Sequence, residues 1–520
     1  MDKLFLQKRH KWLILKVDFL GRGTIKCCRA RYWDVRKMQN RLFVATLFWL
    51  LVMPALPLRA QRLSAVPQEV QGWAYVAPRR LYLDMPLLEM PYQRQAVSTT
   101  GGWLPSYMNP GMGFSTILSN DLYVAAHWGL QQVHYSDDPF RQQYFARLAI
   151  YGFDLVSTWL PLGYAWLHEE YHRSVMTWRG VNSFNEVLLF KVGSTVISVS
   201  RETDEDMALL CDRYHGDFIR LMAAGHEGQT QQNVRMQRDD FFYHQRLNNE
   251  LILLNNALNN TAYLATCAFG LGDKEVEAMN AVETDVVSRD FTGFDMMAWA
   301  YGLFHPDERY ADRGPHPTGV GINRYIVTDQ LGEEAVAYLR RQTALDLLNC
   351  ISPLMVGYSH FNLGLHGGRQ YYGNFALRHY ITPFGDDNCA ELLLQAVGAN
   401  GNWPFNAYAV LHNYNNYHHH FGGLEAGVVD APLWGGRLLA GVTGQLWWQP
   451  EGMSFLADDA ALGGSAALRL TLNTARCPSA GPGRCNPYVE AGYKSAGWQA
   501  GMVSLEKDYT LMAGLLWSLQ

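Results

Sequence analysis

The hydrophobic period changes once along this chain, near Val356, and that change restricts the fold more than any other feature. Before it, apolar residues recur at helical spacing in long runs, among them DLYVAAHWGLQQVH from Asp121, FRQQYFARLAIYGFDLVSTW from Phe140, and the stretch Asn233 to Phe269. After it the period is two. Phe375, Leu377, His379 and Ile381 alternate with Ala376, Arg378 and Tyr380, and the last run sets Tyr509, Leu511, Ala513, Leu515, Trp517 and Leu519 against Thr510, Met512, Gly514 and Ser518. Alternation of this kind gives each strand one apolar face. About eight such segments, separated by Gly, Pro, Asn and Asp clusters, predict an antiparallel sheet closed or nearly closed on itself. The expected architecture is α+β and multidomain: a mainly helical domain over 116–355, then an antiparallel β-barrel over 356–520. Residues 61–115, rich in Pro, Gly, Tyr and Trp, are expected to be an extended lead-in packed on the body.

The amino-terminal part gives an address. Arg41, the apolar run Leu42 to Leu58 and the small residue Ala60 have the three regions of a secretory signal peptide over 38–60, starting at Met38. Residues 1–37 then form an upstream extension; the alternative is a cytoplasmic tail with an uncleaved anchor. Cleavage after Ala60 removes thirteen Lys/Arg and three Asp/Glu, leaving 30 basic and 45 acidic residues. So acidic a chain is not expected to bind nucleic acid. The remaining cysteines are even in number, and Cys477 and Cys485 bracket a turn-rich loop that a disulfide would close.

One stretch carries recognisable chemistry. His168-Glu169-Glu170-Tyr171-His172 reads H-E-x-x-H. On a helix the two imidazoles share a face one turn apart and can bind one metal ion, while Glu169 reaches a water on that metal. Pro161 is expected to kink the preceding apolar run or to mark where the motif helix begins. Two β-branched runs, Val187 to Val192 and Thr195 to Ser200, predict a hairpin beside the site, where a peptide substrate could add a strand. Thr203 followed by three acidic residues predicts a helix start, and that helix is expected to stop near Gly225.

His168, Glu169 and His172 resemble the motif of the zincin metallopeptidases. The resemblance implies Zn2+ bound by His168 and His172, Glu169 as general base in hydrolysis of a peptide bond, and a third protein ligand from further along the chain. Neither the extended metzincin motif nor the inverted H-x-x-E-H is present, which leaves the gluzincin arrangement with a later glutamate as ligand. Glu227 is the candidate, flanked by Ala223, Ala224, Gly225 and Gly228, small residues that let two helices approach closely. His226 and His215 are alternative nitrogen ligands, and Glu202 with Asp206 is better explained as a helix start. Tyr171, His244 and Arg309 are candidates for a transition-state donor. His418 to His420 are expected at a polar rim or lumen.

Residues 356–520, with one apolar face, one small or polar face, and aromatics near strand ends (Trp403, Trp434, Trp447, Trp448, Tyr488, Trp498), resemble a small bacterial outer-membrane β-barrel. That resemblance implies membrane association through the carboxy-terminal part and an exported protein of the outer membrane or periplasm of a Gram-negative bacterium. A soluble barrel or sandwich packed on the helices is the alternative. The functional expectation is an exported zinc metallopeptidase acting on peptides or proteins. Two alternatives stay open: a non-enzymatic outer-membrane barrel protein with a helical plug or interaction domain, and a degenerate peptidase that only binds metal.

Overall fold

A computed structural model describes residues 81–519 apart from 102–108, 135–138, 190–197, 246, 399–403 and 475–482. The described residues all belong to one compact unit. The extension over 1–37, the signal peptide over 38–60, Cys477 of the proposed disulfide and Trp403 lie outside them. Cys211, Cys267, Cys350 and Cys389 are free thiols.

The helices are α1 (Tyr92–Thr100), α2 (Met112–Val133), α3 (Pro139–Val156), α4 (Tyr164–Trp178), α5 (Asp204–Arg213), α6 (His215–Tyr243), α7 (Glu250–Ala268), α8 (Asp273–Val282), α9 (Asp295–Phe304) and α10 (Thr328–Asp346). The strands are β1 (Leu81–Met90), the short pair β2 (Phe184–Asn185) and β3 (Val199–Ser200), then β4 (Phe361–His366), β5 (Arg369–Thr382), β6 (Gly385–Gly398), β7 (Phe405–Asn415), β8 (His420–Leu433), β9 (Leu438–Pro450), β10 (Ala460–Leu472), β11 (Gly483–Lys494) and β12 (Asp508–Leu519).

Strands β4 to β12 pair in sequence order as an antiparallel meander, and β1 adds to β12, giving a sheet of ten strands. This corrects the expectation of a closed barrel of about eight strands. β1 and β4 are the two edges and do not pair with each other. The tenth strand comes from within the stretch expected to be an extended lead-in, where Leu81 to Met90 run antiparallel to Leu519 to Leu511. Of the hairpin expected beside the site, the described residues show only a two-residue ladder, Phe184 with Ser200 and Asn185 with Val199. Glu186–Leu189 form a 3-10 turn.

The sheet folds around α6. Arg238 of this helix reaches Glu391 on β6 at 2.6 Å and Glu425 on β8 at 3.4 Å, while Arg235 reaches Asp84 on β1 at 3.1 Å. Asp84 also receives Arg469 of β10 at 3.1 Å. The inward face therefore carries ion pairs, beside a buried cluster that includes Phe241, Tyr380, Tyr408 and Trp447. Outward, Leu392, Leu411, Leu446 and Leu462 are each about 60 % exposed or more, so the sheet carries its apolar face on the outside. The strand-end aromatics divide between the two sides: Trp434 and Trp448 are exposed, whereas Trp447, Tyr488 and Trp498 are buried.

Helix α6 also corrects the expected stop near Gly225. The break falls earlier, at Tyr214, and the helix then runs without interruption to Tyr243. Thr203 does cap α5, with the reciprocal bonds to Asp206 of a capping box. Among the described residues no helix is long and apolar enough to cross a membrane.

Candidate metal centre and its cavity

The motif helix begins where the local sequence forces a turn. Pro161 lies between the end of α3 and the start of α4, Leu162 adopts φ 67°, and Gly163 precedes the first helical residue. A Cβ on Gly163 would lie 2.0 Å from the Ser157 carbonyl oxygen, so only glycine allows the chain to turn this tightly. From Tyr164 onward α4 packs along α6 and carries His168 and His172 on one face, their ring centroids 4.9 Å apart.

His172 Nδ1–H donates to the Leu221 carbonyl at 2.6 Å, which leaves the Nε2 lone pair free. Asp295, the first residue of α9, brings Oδ2 to 3.1 Å from His168 Nε2 and 3.4 Å from His172 Nε2. Its own backbone N–H donates to the Tyr263 hydroxyl oxygen at 2.9 Å, which fixes the turn that presents the carboxylate. One oxygen and two nitrogen donors thus lie within 4.8 Å of one another. Two imidazoles and one carboxylate so close together are a donor set that could hold a divalent metal ion.

A cavity of about 220 Å³ opens on His168 and Asp295, lined also by Glu169, Gln229, Tyr263 and Asp290 among others, with no Lys or Arg in its wall. Its electrostatics follow from that wall. Burial, reinforced by the charges of Asp295, Asp290 and Glu170, pushes the Glu169 carboxyl well above its ordinary range. Burial also lowers His168, only partly offset by the hydrogen bond to Asp295. Burial alone would raise Asp295 too, but the two imidazoles overcome it and hold that carboxylate below its usual range. Three carboxyl groups facing two imidazoles without a cation is an arrangement that a divalent ion would neutralise, so the residues fit a metal.

Of the residues singled out from sequence, His168, Glu169 and His172 meet here and Glu227 does not. The Glu227 carboxylate is taken up by Arg220 at 2.9 Å, by the Trp498 indole N–H at 3.2 Å and by the Gly501 N–H at 2.7 Å. The carboxylate beside the two imidazoles is that of Asp295, not that of Glu227. The alternatives are engaged elsewhere as well: His226 pairs with Asp346 at 2.9 Å, Glu202 with Arg324 at 2.6 Å, and His215 packs on Phe218. The suggested donors also stand off the cavity. Tyr171 shares a 2.6 Å hydrogen bond with Thr116, His244 bonds Gln395 at 2.6 Å, and Arg309 is exposed. His419 pairs with Asp458 on the surface, and only His420 of the triple run belongs to a strand.

Sequence reasoning missed Asp295 because nothing in its spacing marks it. An acidic residue after Thr292-Gly293-Phe294 reads as a helix start complementing its own dipole. Comparison with known protein families, with curated proteins and with solved structures finds no match to this chain.

Proposed function

We propose that this protein is a metal-dependent hydrolase of the peptidase kind, held at a bacterial envelope membrane by the outer face of its sheet. The observation that carries the reading is the convergence of His168, His172 and Asp295 beside a cavity lined by His168, Asp295 and Glu169. Zn2+ suits two imidazoles and a carboxylate, and when bound it would polarise a scissile carbonyl and make water acidic enough to deprotonate near neutral pH. The remaining chemistry belongs to the chain. Glu169 accepts the proton of the attacking water as its oxygen bonds to the carbonyl carbon, then returns it to the leaving nitrogen as the C–N bond breaks. Tyr263, whose hydroxyl oxygen already accepts from Asp295, keeps its own proton for an acceptor in the cavity.

The membrane part rests on the inverted polarity of the sheet. Strands β5 to β12 are 11 to 14 residues long, and a tilted strand needs about 9–11 residues to cross a hydrocarbon core. The same inversion favours a second reading, in which the sheet is the functional unit and the helices, α6 above all, are its plug.

Metal content of the purified chain, beside Glu169→Gln and His172→Ala, is the decisive test. Wild type and Glu169→Gln retaining zinc, His172→Ala losing it, and a peptide library cleaved by wild type alone support a peptidase. Zinc binding without cleavage leaves a metal-binding protein, and no zinc even after loading removes the hydrolase reading.

A further inference from the structure

A second group of ligand-type side chains lies inside the sheet, apart from the first site. Asp387 and Cys389 are two residues apart on β6 and so share its inward face, and His412 on β7 is the register partner of Cys389. Their donor atoms lie within 4.8 Å of one another, and Asp387 and Cys389 are buried. Asp387 Oδ2 stands 2.8 Å from His412 Nδ1. The other oxygen, Oδ1, is buried with no hydrogen-bond partner, on a residue with no exposed surface.

We propose that Asp387, Cys389 and His412 form a thiolate-containing site for a divalent metal, which ties β6 to β7 inside the sheet. Sulfur, imidazole nitrogen and carboxylate oxygen together suit zinc rather than magnesium or calcium, which take oxygen alone. The surroundings agree with a metal at His412 Nδ1. The far nitrogen, Nε2, faces the Glu425 carboxylate at 3.9 Å, the kind of outer partner that orients a ligating imidazole. Charge balance agrees as well. Arg378 and Arg238 pair with Glu391 and Glu425, which leaves the one negative charge of Asp387. A dication with a Cys389 thiolate and a neutral His412 cancels it, releasing the thiol proton and any imidazole proton to solvent. An imidazolium at His412 with no metal would cancel it too, so the two states need an experiment that sees sulfur.

Co2+ titrated into the purified full chain provides it, because a thiolate ligand gives a ligand-to-metal charge-transfer band that nitrogen and oxygen ligands do not. The band should appear with wild type and with His172→Ala, and be lost in Cys389→Ser and His412→Ala while surviving Cys267→Ser. Its absence in wild type, or its persistence in Cys389→Ser, overturns the site. Should these variants fail to fold, X-ray absorption of the zinc-loaded wild type decides without them. A sulfur scatterer at about 2.3 Å supports the site, and nitrogen and oxygen alone refute it.

Discussion

Gly225 of α6 lies against His168 of α4 so closely that a Cβ added to the glycine would stand 2.3 Å from the imidazole Nε2. The missing side chain is therefore part of how the metal donor is aimed. In Gly225→Ala the imidazole must swing away or the helices must part, and zinc stoichiometry should fall although no donor has been removed. The overpacking itself should cost about 1–3 kcal/mol. Gly228→Ala is the control, since its Cβ would press on Tyr171 at 2.9 Å instead. It should lose stability and keep its metal. Equal zinc binding by Gly225→Ala and wild type would show that this contact does not position His168.

Asp295 and Glu227 make opposite predictions. Asp295→Asn removes the charged oxygen donor facing both imidazoles and should abolish tight zinc binding with little change in fold. Glu227→Gln should keep zinc, because its carboxylate serves Arg220, Trp498 and Gly501. It leaves Arg220 as an uncompensated buried charge, for which about 3–5 kcal/mol of lost stability is expected. Elemental analysis and denaturant melts on the two variants separate the roles. Zinc lost from Glu227→Gln at unchanged stability would restore it as the ligand.

What the sequence showed and what it hid divide along a physical line. Local patterns were legible: the motif on a helix, the cap at Thr203, the period-two face of β5 from Phe375 to Ile381, and the small residues that bring α6 against α4. Placing Glu227 at a junction between two helices followed from reading Gly225 as a helix stop. In the structure that glycine stays helical and makes room for His168, a role visible only once the facing helix is in place. Asp295 and β1 were hidden for a related reason. Both act through partners far along the chain, His168 and His172 for one and β12 for the other, and neither carries a local mark of it.

Asp240, near the end of α6, gives the fold a pH dependence on the alkaline side. Burial pushes its carboxyl up to about 8, reinforced by Glu250 and only partly countered by the Asn249 amide, which donates to it at 3.1 Å. The unfolded chain titrates near the ordinary carboxylate value of about 3.9. Between those two values the native state holds the proton and the unfolded state does not, so stability falls as pH rises from about 4 to about 8. Asp240→Asn removes the dependence. It should match wild type near pH 4 and exceed it at pH 8 by an amount on the order of a few kcal/mol, read from urea melts across the range. A variant no more stable than wild type at pH 8 would show that Asp240 is ionised there without penalty.

The outward face of the sheet can be tested against water directly. Leu411, Leu424 and Leu446 stand opposite one another across β7, β8 and β9, an apolar row exposed among the described residues. If lipid covers this row, Leu424→Arg places a charge in hydrocarbon at a cost of about 2–4 kcal/mol near mid-depth. The chain should then float with lipid vesicles, and the variant should lose vesicle binding or unfold at lower urea in their presence. If the row faces water, an arginine there relieves an exposed apolar surface, and the variant should be at least as stable as wild type and more soluble without detergent. The sign of the change therefore separates a membrane-held sheet from a soluble one. An inward substitution makes the complementary control: Glu391→Leu removes the carboxylate that Arg238 and Arg378 share and should destabilise the chain with or without vesicles.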